Sequence, residues 1–131
     1  MAQSMRRSMA TNNLEEIGID QWTPFLATFT RENRGAHARV EVFGGEVGYQ
    51  VETENRPFDG ISADVKDNER IVWMSFGWND DHLTHGVHSA ASIRMRPPVG
   101  ELGAALEAES KDGTKTLLEL TKPESYALPP A

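Results

Sequence analysis

The stretch IDQWTPFLATFTRENRGAHARVEVFGG, residues 19–45, decides the fold because its hydrophobic period changes once along its length. In the first half, large apolar residues recur at i, i+3, i+4 and i+7: Trp22, Phe25, Leu26 and Phe29. This spacing places all of them on one face of an amphipathic helix. Gly35 follows where a left-handed residue commonly ends a helix. The pattern predicts a helix that covers one face of a sheet.

The start of this helix has two alternatives. Asp20 can cap it, although Pro24 would then remove one intrahelical hydrogen bond. Alternatively, Thr23 is the cap and Pro24 occupies the first helical position, which tolerates proline. In both cases Thr30 and Glu32 are expected on the polar, solvent-facing side.

After Gly35 the hydrophobic period becomes two, which is typical of a half-buried strand. Apolar residues alternate with polar ones on both sides of Gly44-Gly45, in the sets Ala38, Val40, Val42 and Val47, Tyr49, Val51. A four-residue loop that sets Val42 opposite Val47 puts both sets on one face. The sequence therefore predicts a hairpin with that register.

Further strands are indicated downstream. The proline-containing segment 55–59 is expected to break the chain before a strand in which Ile61, Ala63 and Val65 face inward. The apolar run IVWMSF, residues 71–76, is typical of a central strand covered on both faces. Residues 82–88 and 91–96 form either one long, bent strand or two short ones.

The last hairpin carries the most specific local signal. A two-residue loop at Asp112-Gly113 would set inward residues opposite outward ones. A three-residue loop, Lys111-Asp112-Gly113, instead brings the inward faces into agreement by pairing Ala108 with Thr116 and Leu106 with Leu118. We therefore expect a type I turn with a bulge at Gly113, whose φ angle should be positive.

Together these elements predict an α+β fold: one N-terminal amphipathic helix packed on a strongly bent antiparallel β-meander or a small β-barrel. Residues 1–16 are expected to form a flexible leader without the apolar core of a secretion signal. Residues 17–122 are expected to form a single globular domain, and residues 123–131 a flexible tail that contains proline.

Composition bounds the function. The chain has 131 residues, a formal net charge of −7 and no cysteine. The negative charge disfavours nucleic-acid and membrane partners. The lack of cysteine removes disulfides, thiolate ligands and a thiol nucleophile, so we expect a cytoplasmic protein.

Three histidines, His82, His85 and His88, follow the acidic pair Asp80-Asp81 and are the main candidates for metal ligands. On a helix, His82 and His85 would share a face and could hold zinc. On a strand, which Thr84 and Val87 favour, His85 points away from the other two, and His82 lies about 20 Å from His88. The strand interpretation predicts no metal and no cofactor.

Other candidate groups are weaker. Asp59 and Asp67 are expected in turns and Asp64 on an exposed face, where turn chemistry explains them without catalysis. No nucleophile elbow is present, and Gly44-Gly45 lacks the following helix that a phosphate loop needs. Arg94 and Arg96 share a face and could contact one anion, although solvated arginines are the more common arrangement.

Four segments resemble a family of short prokaryotic proteins known only as domain of unknown function 5335. The matching segments are IDQWTPFLATFTREN, VEVFGGEVGYQVETENRPFDGISADVKD, HLTH and ESKDGTKTLLEL, which together lie between residues 17 and 121. The resemblance implies a stand-alone domain without an assigned activity, and it supplies no functional residue.

The sequence thus leaves the function unknown. We favour a non-enzymatic binding or interaction module with a protein or small-molecule partner. A homodimer through an exposed sheet edge or through the aromatic-rich surface is compatible with this interpretation. The alternative is a small metal-dependent or acid–base hydrolase that uses the His82/His85 region. An Sm-like RNA-binding module is the least favoured, because the net charge opposes it.

Overall fold

The structure, a computed structural model, describes residues 14–46, 48–66 and 68–121. A short 3-10 turn at Ile19–Gln21 leads into the helix α1 (Trp22–Asn33), and a second 3-10 turn lies at Asn79–Asp81. The strands are β1 (Glu15–Ile17), β2 (His37–Gly44), β3 (Gly48–Lys66), β4 (Glu69–Phe76), β5 (Leu83–Val87), β6 (Ala90–Arg96), β7 (Leu102–Ser110) and β8 (Lys115–Thr121).

All strand pairs are antiparallel and form one sheet in the order β1-β6-β7-β8-β2-β3-β4-β5. The α+β class is therefore confirmed. The sheet is more than a simple meander, because β8 pairs with β2 and β1 pairs with β6. Within the described ranges no ladder joins β1 to β5, so the sheet is open and is not the closed barrel.

Strand β1 was not expected. It places Glu15 and Glu16 opposite Met95 and Arg94, so regular structure begins before residue 17. Leu14, just before it, is also buried. The other residues of the expected leader, and those of the tail after Thr121, lie outside the described part of the chain.

Helix α1 covers the sheet as predicted. Trp22, Leu26 and Phe29 are buried, and Phe25 packs against the same core. The Phe29 ring meets the Phe58 ring of β3 edge-to-face, with 5.8 Å between the ring centroids. The aromatic residues that predicted the helix thus pack against aromatic residues of the sheet in the hydrophobic core.

Both alternatives for the start of the helix are wrong. The helix begins at Trp22, and the preceding residue, Gln21, makes no side-chain capping bond. Pro24 is the third helical residue, whose N–H has no intrahelical acceptor anyway, so the proline costs nothing there. The expected end is confirmed, because Gly35 has a φ of +94° and donates its N–H to the Phe58 carbonyl.

Thr30 does not face solvent, contrary to expectation. Its hydroxyl donates to the Ile61 carbonyl at 3.0 Å and accepts the Ile61 N–H at 2.9 Å. The side chain therefore satisfies both backbone polar groups of one β3 residue. From the sequence alone, a threonine on the polar side of the helix is expected at the surface. In the structure, the hydrogen bonds of Thr30 instead connect the helix to strand β3.

The register of the first hairpin differs from the prediction. Val42 lies opposite Gln50, whereas the expected partner, Val47, is outside the described residues. Gly44 and Gly48 lie opposite each other with positive φ angles of 123° and 72°, which shortens the loop to three residues. Tyr49 and Val51 consequently lie on the outer face and are 44% and 42% exposed.

The expected break at residues 55–59 is instead a change of ladder partner within the single strand β3. Residues up to Pro57 pair with β2, and residues from Phe58 onwards pair with β4. Asn55 takes a positive φ of 60°, and register shifts on both ladders accompany the change. Farther along, Ile61 is buried as expected, whereas Val65 is 54% exposed.

The last hairpin is confirmed in register and turn. Ala108 lies opposite Thr116, Leu106 opposite Leu118, and the φ of Gly113 is +90°. Ala105 and Glu107, which alternate along β7 with these inward residues, are also buried, so side chains on both faces of β7 are covered. The chain segment 82–96 resolves into two short strands, β5 and β6.

Candidate functional site

The three histidines lie in three different surroundings. His82 precedes β5, and its Nε2 is 3.4 Å from Oδ2 of Asp59. His88 follows β5, stacks edge-on against the Trp73 ring, and has Nδ1 3.7 Å from Oε1 of Glu69. His85, within β5, lies opposite the fully buried Met74 and so shares its inward face. The strand interpretation of this segment is confirmed.

His85 lines a cavity of about 440 Å³ at one end of the sheet. Val42 and Thr116, which lie opposite each other on β2 and β8, form its buried floor. The walls come from the β5–β6 turn and the β7–β8 turn. Most of the other lining side chains are polar: His88, Ser89, Ser110, Lys111, Asp112 and Thr114.

Hydrogen bonds fasten the two turns to each other. Ser110 Oγ donates to the His88 carbonyl at 2.9 Å, and the Lys111 N–H donates to the Ser89 carbonyl at 2.9 Å. Ser89 itself has a positive φ of 53°, which sharpens the turn between β5 and β6. These bonds hold the cavity walls in a fixed relation to the sheet.

Burial lowers the pKa of His85 below its ordinary value of 6.5, because desolvation disfavours the charged imidazolium. The Glu52 carboxylate opposes this effect by raising the pKa, and His88 adds to it. At neutral pH His85 is therefore a neutral ring with one N–H donor and one acceptor nitrogen. It presents hydrogen-bonding groups to the cavity without presenting a charge.

Gly86, next to His85, explains how the strand keeps this orientation. The Trp73 ring lies against the other face of β5, and a Cβ on Gly86 would come within 2.6 Å of that ring. A larger residue would push β5 away from β4. The glycine therefore allows the aromatic ring to cover the strand while His85 faces inward.

A second polar cluster surrounds His82. Asp59 Oδ1 accepts hydrogen bonds from Nε and Nη2 of Arg34 at 3.2 and 3.0 Å, while Oδ2 faces His82. The Arg34 guanidinium also lies 5.4 Å from the centre of the Trp78 ring. Asp59 thus lies in β3 rather than in a turn, and it joins the end of α1 to the segment before β5.

No metal site emerges among the described residues, where no group of three or more His, Asp or Glu side chains is arranged to hold an ion. Asp80 and Asp81 lie in the 3-10 turn, and Asp81 binds Arg56 at 2.6 Å. Asp64 lies opposite Ile71 within the sheet, and Asp67 is outside the described residues. Absence of metal binding stays a prediction.

Arg94 and Arg96 share the outer face of β6, as expected, but they are not both solvated. The side chain of Arg94 is 39% exposed, with Nη1 3.7 Å from Oε1 of Glu107. Arg96 is only 5% exposed. The alternation of residues did not predict this burial, because the buried neighbours of Arg96 on β7, Ala105 and Glu107, occupy positions that alternate with the main core.

The sequence also did not reveal the hydroxyl groups of the cavity. Ser110, Thr114 and Thr116 look like ordinary strand and turn residues. The available signal was the polar Thr116 at an inward position of β8, opposite Val42. A hydroxyl side chain at an inward position among aliphatic residues indicates that the hydrophobic core borders a polar cavity there.

In the part of the chain that the structure describes, the geometry is that of a small α+β protein with one helix on an open eight-stranded sheet and a polar cavity at one end. The chain belongs to a family of unknown function, DUF5335, whose sequence profile matches residues 13–129. It is similar to an uncharacterized protein of Aquifex aeolicus (strain VF5), with 27% identity over 104 residues, 79% of this chain and 88% of the relative.

No solved structure matches the chain. Within the described residues, none of the helical segments has the length and apolar character needed to cross a lipid bilayer.

Proposed function

We propose that this protein is a non-enzymatic binding module that holds a small polar ligand in the cavity beside His85. The observation that carries the proposal is the cavity itself, about 440 Å³, with a floor at Val42 and Thr116 and mostly polar walls. Pockets for small molecules commonly measure about 300–1,000 Å³ and combine an apolar surface with a few placed polar groups. The cavity lies within that size range, and its larger share of polar side chains favours a polar ligand over an apolar one.

The lining groups favour a ligand that both donates and accepts hydrogen bonds. A neutral His85 and the hydroxyl of Thr116 each supply a donor and an acceptor. Lys111 and Asp112 carry opposite charges at the β7–β8 turn, so the rim has no single sign. A hydroxyl- or amide-bearing small molecule matches this set better than a strongly charged one.

The hydrolase alternative receives less support. It needs His82 and His85 to act together, yet His85 lines the cavity and His82 faces Asp59. A general acid–base pair has to reach the same substrate atoms. The separation of the two rings favours binding over catalysis.

The composition of the chain also bears on the proposed cellular location and partners of the module. A chain without cysteine suits the reducing cytoplasm of a bacterial cell. The net charge of −7 favours a partner other than nucleic acid or an anionic membrane. A homodimer through the sheet edge at β1 or β5 stays a prediction, which sedimentation equilibrium tests.

A matched pair of cavity variants tests the binding function. A library of small polar compounds is screened by NMR against the full chain, and affinities of the hits are measured for Val42→Phe, which fills the cavity floor. We expect the affinity to fall at least tenfold. Val65→Phe makes the same change at a site that is 54% exposed and should leave binding unaltered.

His85→Ala provides a second variant if the larger side chain disturbs folding. It removes one donor and one acceptor from the cavity wall and should also weaken the hits. Hits that bind Val42→Phe and His85→Ala as tightly as the parent protein would overturn the proposal, and so would a screen without hits.

A further inference from the structure

The outer face of the sheet, across β1, β6, β7, β8 and β2, is buried at its centre. Leu117 and Ala105 on this face are 0% exposed, and Glu107 is 3% exposed. The strand registers place them together, because Leu117 lies opposite Glu107 and Ala105 lies between Arg96 and Glu119. Side chains on an uncovered sheet face keep one side in contact with water. The burial of this face therefore requires a covering layer.

The described helical segments do not supply this layer. Helix α1 packs on the opposite, inner face, where Phe29 belongs to the hydrophobic core. The two 3-10 turns, Ile19–Gln21 and Asn79–Asp81, contain no buried residue. The long side chains of Arg96 and Glu107 are themselves buried, so they are not the outermost layer of the face either.

The chain reaches this face from its N-terminal side. Glu16 of β1 lies opposite Arg94 of β6, and Leu14, two residues earlier, is expected on the same side. Leu14 is 7% exposed, and its carbonyl accepts a hydrogen bond from Nη2 of Arg94 at 3.4 Å. The N-terminal segment, residues 1–13, therefore joins the described chain at the edge of the buried face.

The charges on the outer face favour a basic covering segment. Among the residues that the strand registers place there, carboxylates outnumber cations: Glu16, Glu41, Glu54, Glu107, Glu109 and Glu119 against Arg39, Arg94, Arg96 and Lys115. The N-terminal segment contains the pair Arg6-Arg7 and no acidic residue. The tail, residues 122–131, contains one residue of each sign. The N-terminal segment thus has the charge that complements the face.

The length of the N-terminal segment matches the width of the face. In the strand order, β8 lies three strand spacings from β1 and β2 lies four, which correspond to about 14 Å and about 19 Å. An extended chain advances about 3.3 Å per residue, so Arg7, seven residues before Leu14, reaches about 23 Å. The arginine pair can therefore reach Glu119 on β8 and Glu41 on β2.

We propose that residues 1–13 lie across the outer face of the sheet and that the Arg6-Arg7 pair binds the carboxylates of Glu41 and Glu119. Guanidinium groups suit this role because they form paired, charge-assisted hydrogen bonds with carboxylates. The thioether and methyl side chains between the arginine pair and β1 cover the apolar centre of the face. The proposal is independent of ligand binding in the cavity, which lies on the inner side of the sheet.

A spin label on the N-terminal segment tests this arrangement. Because the chain has no cysteine, Ser8→Cys carries a single nitroxide on the full-length protein. We expect the relaxation enhancement of the Leu117 amide to be at least threefold larger than that of the Leu26 amide, in α1 on the inner side. Spin-labelled chain mixed with isotope-enriched, unlabelled chain should show no enhancement, because the contact is made within one molecule.

Charge reversal in the same labelled protein tests the role of the arginines. Arg6→Glu combined with Arg7→Glu replaces attraction by repulsion and should reduce the enhancement at Leu117 at least threefold. Arg31→Glu combined with Lys111→Glu makes the same change in net charge at two exposed positions away from this face. This control should keep the enhancement of the parent protein.

Trypsin gives a measurement that needs no variant. Cleavage after Arg6 and Arg7 in the native protein should be at least tenfold slower than in a synthetic peptide of residues 1–13, because a bound segment does not fit a protease cleft. Equal cleavage rates, equal enhancement at Leu117 and Leu26, or enhancement unchanged by the charge reversal would each overturn the proposal. Enhancement in the mixed sample would also overturn it, because the segment would then bind a second copy of the chain.

Discussion

Phe29→Ala should lower the free energy of unfolding by about 3–5 kcal/mol, because it removes a buried ring and leaves a cavity between α1 and the sheet. Phe29 is 2% exposed, and its ring lies 5.8 Å from that of Phe58 and 6.0 Å from that of Phe25. A domain of this size has a total stability of about 5–15 kcal/mol. Urea denaturation followed by tryptophan fluorescence measures the loss.

Two neighbours on α1 serve as comparisons. Glu32→Ala, at an exposed position, should change stability by less than about 0.5 kcal/mol. Thr30→Ala should cost about 1–3 kcal/mol, because it leaves the backbone groups of Ile61 without their partner. Equal unfolding midpoints for Phe29→Ala and Glu32→Ala would contradict the packing of α1 on β3.

Gly77→Ala should destabilise the protein by about 2–5 kcal/mol, the sum of a left-handed backbone penalty and an overpacking penalty. Gly77 has a φ of +83°, and a Cβ there would overlap the carbonyl oxygen of Asp81. Its N–H also donates to the Pro57 carbonyl at 2.8 Å, which ties the end of β4 to β3. Thermal unfolding measured by circular dichroism gives the change.

Gly45→Ala separates the two contributions. Gly45 also has a positive φ, +48°, but a Cβ there would meet nothing within 4 Å. This variant should therefore cost only about 1 kcal/mol, from the backbone alone. If Gly77→Ala and Gly45→Ala lose the same stability, the close contact between Gly77 and Asp81 is wrong.

The sequence alone predicted correctly those helices and hairpins in which the hydrophobic spacing and the terminating residues agree with the packing in the structure. The stripe of Trp22, Leu26 and Phe29 predicted the helix and its buried face, and Gly113 predicted the bulge of the last hairpin. In both cases the spacing of the inward residues and the glycine at the end of the element were consistent with a single structure.

The pairing of strands that are distant in the sequence was not determined by the local hydrophobic pattern. The first hairpin has a different register because Gly44 and Gly48 permit a shorter loop. Strand β1 has only three residues and gains its order from β6, a partner far along the chain. The predicted break near Pro57 is the point at which β3 exchanges one ladder for another.

The candidate sites depend on the same long-range pairing. The alternation around His85 predicted that it points away from His82 and His88. It did not predict that the β7–β8 turn, from a distant part of the chain, forms one wall of the cavity that His85 lines. Burial of Arg96 and Glu107 was missed because the β7 pattern identified one covered face, whereas residues on both faces are buried.

The central claim is that a half-buried His85 faces a ligand in the cavity, and an NMR titration of the histidine rings tests it most directly. We predict that the pKa of His85 lies below 6.5 and that hits from the polar library shift the His85 ring signals but not those of His82. Because the unfolded state then binds this proton more readily than the folded state, His85 reduces stability as the pH falls below about 6.5. A His85 ring that titrates at or above 6.5 and ignores every bound hit would contradict the account.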